Sequence, residues 1–123
     1  MDADAQMDDD VVLGAVEVFR LLADETRVRI LGLLLDSELT VGEMAERLGR
    51  AAPGVSQHLA RLRRGRIVST RRDGTHVHYR IADDHAAQML IDALRHAEHG
   101  QGGVPRHHRV EADAPTRARE SVR

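Results

Sequence analysis

Between Thr40 and Gly65 the chain carries two helix starts and two helix stops in quick succession, an alternation that few folds can use. Thr40-Val41-Gly42-Glu43 fits a capping box, in which the hydroxyl and the carboxylate each satisfy the other's free backbone amide. A short helix is therefore predicted over 41–48, stopping at Gly49. Pro53 suits the first turn of the next helix, where its missing amide hydrogen is not needed, and Gly65 ends that helix. At about 100° per residue from Val55, Leu59 and Leu62 fall within about 40°, whereas Gln57, Arg61 and Arg64 fall between about 180° and 240°. One face of this helix packs and the opposite face is polar and cationic.

The flanking segments complete the pattern. Val11 to Leu22 has apolar residues at Val12, Ala15, Val16, Phe19 and Leu22, the spacing of a helix with one buried face. Asp24 or Thr26 can cap a second helix bearing Val28, Ile30, Leu31, Leu34 and Leu35, ending near Asp36-Ser37. Residues 67–72 and 75–81 read as two strands around the hairpin signal Asp73-Gly74. Asp83 can cap a last helix from about Asp84 to His99, with Ala86, Met89, Leu90, Ala93, Leu94 and Ala97 as its apolar stripe, and Gly100, Gly102, Gly103 and Pro105 break it. Four helices, a β-hairpin and a fifth helix make a mainly α winged helix-turn-helix. The expected division is an acidic, disordered segment over 1–10, the folded domain over 11–100, and a flexible histidine-containing tail over 101–123.

Composition narrows what such a domain can do. With one Phe, one Tyr and no Trp, the core rests on Leu, Val, Ile, Ala and Met; so small a core gains from burying helix surface against a second copy, and a homodimer is expected. The absence of cysteine excludes disulfides, thiolate nucleophiles and cysteine-based zinc fingers, so any metal must be held by His, Asp and Glu. No apolar run approaches the roughly 20 residues of a membrane span and the first ten residues are acidic, so a soluble, cytoplasmic protein without a membrane partner is expected.

The net charge of −2 conceals a segregation along the chain. Asp2, Asp4, Asp8, Asp9 and Asp10 crowd the start, whereas 50–72 carries Arg50, Arg61, Arg63, Arg64, Arg66, Arg71 and Arg72 with no acid. Every basic side chain other than histidine is arginine, which suits bidentate contact to phosphate and guanine. The expected partner is double-stranded operator DNA. Gln57 would pair with adenine, Arg61 or Arg64 with guanine or phosphate, and Arg71, Arg72 and His76 on the wing with the neighbouring backbone. Ser56 and His58 sit at the edges of this face, and His58 can equally support the core. His76 and His78 alternate on one strand face, a DNA-side or surface pair.

Leu22-Ala-Asp-Glu-Thr-Arg27-Val-Arg-Ile-Leu31, Leu39-Thr-Val-Gly-Glu-Met-Ala45, Val55-Ser-Gln-His-Leu59-Ala-Arg-Leu-Arg63 and Arg72-Asp-Gly74 together resemble the ArsR/SmtB metal-responsive repressors, over roughly residues 12 to 108. The resemblance implies a homodimer that represses metal efflux or uptake genes and leaves DNA on binding its inducer. An enzyme is not expected: His96-Ala-Glu-His99 is neither His-Glu-x-x-His nor its inverse, and no further domain offers a pocket for a small-molecule substrate.

Five of the eight histidines, His85, His96, His99, His107 and His108, lie in or just after the last helix. His85 and His96 share a helix face but stand about 16 Å apart along the axis, so one ion cannot bind both within a chain. Sites form if the helix pairs antiparallel with its twin, each taking Asp83 and His85 from one chain and His96 and His99 from the other. Asp83-x-His85 followed by His96-x-x-His99 is similar to the last-helix ligand pattern of the zinc, cobalt and nickel sensors of the family. Ala97-Glu98-His99 and Pro105-Arg-His-His-Arg109 resemble its nickel and cobalt sensors, which implies a set of His85, Glu98, His99, His107 and His108; the chain carries both sets. Four helix ligands alone suit tetrahedral Zn(II), whereas recruiting His107 or His108 raises the coordination number and favours Ni(II) or Co(II) as inducer. The alternatives are a Zn(II)-responsive repressor and a winged-helix regulator that ignores metal.

Overall fold

In the computed structural model, which describes residues 7–100, each helix begins where a side chain or proline can tend its free amides. Helix α1 spans Asp9–Leu22 behind Asp8, whose carboxylate accepts from the Asp10 amide; α2 spans Glu25–Leu34 behind Asp24, which accepts from the Arg27 amide. Helix α3, Val41–Leu48, has the complete capping box: the Thr40 amide donates to Glu43 Oε1 at 2.8 Å and the Glu43 amide to Thr40 Oγ1 at 3.2 Å. Helix α4, Ala52–Arg64, starts with proline in its first turn, and α5, Asp84–Gly100, starts at Asp83, whose Oδ1 accepts from the Ala86 amide at 2.8 Å.

Strands β1, Val68–Asp73, and β2, His76–Ile81, pair antiparallel with Arg71 opposite His78 and Arg72 opposite Val77. The turn is displaced one residue from the expected Asp73-Gly74. Its two loop residues are Gly74 and Thr75, and Gly74 alone takes a positive φ, of 66°. That is the pattern of a type II′ turn, which needs glycine only at its first central position, whereas Asp-Gly at the centre belongs to type I′. A further rung joins the hairpin to the segment before α3: Leu39 and Tyr79 exchange backbone hydrogen bonds at 3.1 and 2.8 Å.

The core is aliphatic, drawn from α2 (Ile30, Leu31, Leu34), α3 (Met44, Ala45), α4 (Val55, Leu59, Leu62), the start of the wing (Ile67, Val68), Leu39, and only Ala86 and Leu90 of α5. Helix α1 buries nothing fully. Val18, Leu21 and Leu22 pack against the core, while much of the stripe expected to be buried faces outward, with Val16 and Phe19 exposed alongside Val11 and Leu13. The second half of α5 is likewise bare, Leu94 included. No helix among the described residues is long and apolar enough to cross a membrane.

Candidate nucleic-acid interface and metal-ligand helix

The capping box and Gly49, at φ 66°, fix the length of α3 and turn the chain sharply into α4. Val55, Leu59 and Leu62 then anchor α4, so Ser56, Gln57, Ala60, Arg61, Arg63 and Arg64 stand exposed on one side. Between this face and the wing runs a groove lined by Ser56, Ala60, Arg63, Arg64 and Tyr79. Arg72 lies on the strand face it shares with Val77 and Tyr79, whereas Arg71 lies on the opposite face with His78. There Arg71 Nε donates to Glu38 Oε1 at 2.8 Å, and Arg80 Nη1 lies 3.7 Å from Glu38 Oε2. The Arg71 hydrogen bond and charge hold the Glu38 carboxyl below the ordinary carboxylate range, and the same hydrogen bond with the Glu38 charge raises the Arg71 guanidinium in turn. His76 is exposed near the tip, its ring centroid 6.5 Å from that of His78.

Besides Arg71, one further member of the arginine run and the nearby His58 are engaged inside the protein. Arg50 donates to Thr26 Oγ1 and lies 3.6 Å from Glu25 Oε2. His58 is half-buried, with Nδ1 3.2 Å from Arg27 Nη1 and 3.8 Å from Asp24 Oδ2. Burial pushes the Asp24 carboxyl up, but the hydrogen bond from the Arg27 amide and the charge of Arg27 offset this and hold it low. Sequence reasoning passed over Arg27, Glu38 and the Leu39 rung. Arg27 had a signal, because it sits at helical spacing with Ile30, Leu31 and Leu34 on the apolar face of α2.

On α5, His85, His96, Glu98 and His99 are exposed, and Asp83 keeps one carboxylate oxygen after capping the helix. The stripe is otherwise polar, with Gln88 Nε2 donating to Asp92 Oδ1 at 2.8 Å. Among the described residues of one protomer no three His, Asp or Glu side chains gather where they can hold a metal ion, as the separation along the helix requires. Imidazole and carboxylate donors on an open helix face suit a borderline divalent ion shared with a second helix. His107 and His108 lie outside the described residues.

Residues 24–70 match the family model for bacterial regulatory proteins of the arsR family. Over 114 residues, covering 93% of this chain and 88% of the relative, the sequence is 52% identical to the HTH-type transcriptional regulator KmtR of Mycobacterium tuberculosis. Among solved structures, the homodimeric winged helix-turn-helix DNA-binding domain of a possible ArsR-family regulator from Mycobacterium bovis superposes with a TM-score of 0.69 at 29% identity, covering 83% of this chain and 92% of that one. The AntR antimony-specific transcriptional repressor gives a TM-score of 0.72 at 31% identity over 83% of this chain and 90% of that one.

Proposed function

The chain belongs to the arsR family of bacterial transcriptional regulators, and we propose that it is a homodimeric repressor that leaves its operator when Ni(II) or Co(II) binds donors on α5. One observation carries the reading: the second half of α5 is bare, exposing Leu94 of its apolar stripe and, on its polar side, the imidazoles of His96 and His99, so the helix that offers apolar surface to a second copy also bears the ligands. Antiparallel pairing of α5 brings Asp83 and His85 of one protomer to His96 and His99 of the other, twice by symmetry. Glu98, His107 and His108 extend that set beyond four and favour nickel or cobalt over tetrahedral zinc.

DNA is read by α4 through Ser56, Gln57, Arg61 and Arg64, with Arg72 and His76 of the wing on the backbone. Arg71 joins them only by giving up Glu38. The two α4 helices of a dimer enter major grooves about one helical turn apart on an imperfect palindrome. Bound metal supplies a cross-link between the two α5 helices; the protein's part is to convert that constraint into a spacing of the readers that the operator does not match. By linkage the metal must then bind free dimer more tightly than operator-bound dimer, and a coupling of about 1 to 3 kcal/mol lowers operator affinity about 5- to 150-fold.

The test is an operator-binding titration at fixed salt with Ni(II), Co(II) and Zn(II) in turn. His85→Ala and His99→Ala are expected to abolish release while leaving metal-free binding intact, and His107→Ala with His108→Ala to shift the response from nickel and cobalt toward zinc. Equal operator affinity with and without every ion overturns the metal assignment and leaves a metal-blind regulator.

A further inference from the structure

Arg27 is the one buried charged side chain among the described residues, 9% exposed, and its guanidinium ends on two different helices. Nε donates to the Leu21 carbonyl at 2.7 Å and Nη2 to the Arg20 carbonyl at 3.2 Å, both in the last turn of α1. Both carbonyls lie at the negative end of the α1 dipole, where the Arg20 oxygen also accepts from the Ala23 amide at 3.3 Å, so they both satisfy and stabilise the buried cation. Nη1 points the other way, 3.2 Å from His58 Nδ1 on α4. Arginine only donates and stays charged, so Nδ1 is the acceptor and the imidazole carries its proton on Nε2.

A second contact joins the same two helices. A methyl group built on Gly65, just past the end of α4, would overlap Leu21 Cδ1 of α1; φ here is −82°, so it is closeness and not backbone conformation that calls for glycine. His58 and Gly65 are about 10 Å apart along the helix axis. Two attachments that far apart fix the direction of α4 as well as its position, and both refer it to the end of α1.

We propose that His58 is a positioning residue, the Nδ1 acceptor through which Arg27 aligns the reading helix α4 with the C-terminal turn of α1, and that it serves operator recognition without touching DNA. This rests on the reading of α4 as the DNA reader. Because α1 carries the exposed apolar stripe, the alignment makes each reader turn with the dimerising helix of its own protomer instead of tilting freely upon it.

The test uses the geometry of imidazole replacements in the full-length protein. Asparagine places its amide oxygen near the Nδ1 position and keeps the acceptor for Arg27; glutamine reaches toward the Nε2 position and does not. Operator and scrambled duplexes are titrated with wild type, His58→Ala, His58→Gln and His58→Asn, with Gln57→Ala and Arg61→Ala alongside and thermal melting of each. Expected is a loss of about tenfold in operator affinity for the Ala and Gln variants, the scale of one charge-assisted hydrogen bond. Asn should restore wild-type affinity, binding to scrambled DNA should stay unchanged throughout, and the melting temperature should fall for Ala and Gln, where Arg27 loses its acceptor, and return with Asn. Rescue by Gln and not Asn would make His58 a direct DNA contact and overturn the proposal; so would wild-type affinity in all three, or an equal loss in all three. Loss of operator binding in none of the Gln57, Arg61 and His58 variants would instead remove α4 as the reader.

Discussion

Glu38 Oε1 accepts a 2.8 Å hydrogen bond from Arg71 Nε, and this pairing divides the two adjacent arginines of the wing between different tasks. Glu38 precedes α3, and with Arg80 at 3.7 Å it lies across both strands, next to the Leu39–Tyr79 rung. Arg71 thus holds the wing to the helical body, while Arg72, one residue on, faces the opposite way.

Arg72→Ala should weaken operator binding and lower the log-log salt slope by about one phosphate contact, roughly 0.9. Arg71→Ala should leave that slope unchanged, and Glu38→Gln, by releasing Arg71, should steepen it. Salt titrations of the three variants check this, and equal slopes for Arg71→Ala and Arg72→Ala would refute the division of roles.

The end of α4 holds a reversal of the usual glycine placement. The Ile67 amide donates to the Leu62 carbonyl at 2.9 Å and the Arg66 amide to that of Arg63 at 3.0 Å, a Schellman arrangement in which Arg66, not Gly65, takes the left-handed conformation at φ 64°. Arg66→Gly should relieve about 1 kcal/mol of backbone strain and raise the melting temperature. Gly65→Ala should lower it by a comparable amount, because Leu21 must move aside. Both melts can be read on the metal-free protein, and an unchanged midpoint for Gly65→Ala would remove the close packing of α1 on α4.

What the sequence made legible was local. The capping box at Thr40 and Glu43, the caps at Asp24 and Asp83, and the buried triad of Val55, Leu59 and Leu62 each depend on residues a turn or two apart. The hairpin slipped by one residue because Gly74 can serve a two-residue turn at either central position, and only the strand pairing chooses. Glu38 with Arg71 and Arg27 with His58 are more than thirty residues apart, with separations of 33 and 31, and no periodicity links them. The donor side chains on α5 are legible from spacing, but the sites proposed for them draw on two chains and leave no mark within one.

Acid should strip away three carboxylate contacts together. Hydrogen bonding from the Thr40 amide holds Glu43 below its ordinary 4.5, the Arg71 hydrogen bond does the same for Glu38, and Asp24 sits below 3.8. A carboxyl whose folded value is depressed contributes stability that is fully present above its unfolded value and is lost as pH falls through the folded one. Glu43→Gln should therefore melt below wild type at neutral pH, and the two curves should converge well below pH 4.5. A constant gap across the acid range would mean that the capping box owes nothing to the charge of Glu43.

The last helix separates two effects of the same substitution. Leu90 is 3% exposed in the core of its own protomer, whereas Leu94, one turn on, is 42% exposed, and Phe19 of α1 is 64% exposed. A carboxylate placed at position 90 must be buried without a partner, which costs several kcal/mol, so Leu90→Glu should unfold the protein. The same change at Leu94 or Phe19 leaves the protomer core untouched and charges only surface that gains by pairing with a second copy. Leu94→Glu and Phe19→Glu should therefore keep their helical circular dichroism while sedimenting as monomers at micromolar concentration. They should also bind operator far more weakly, because a single reader retains only half of the contacts. Wild-type protein that already sediments as a monomer, or charged variants that remain dimeric, would move the subunit contact away from α1 and α5 and take the shared metal sites with it.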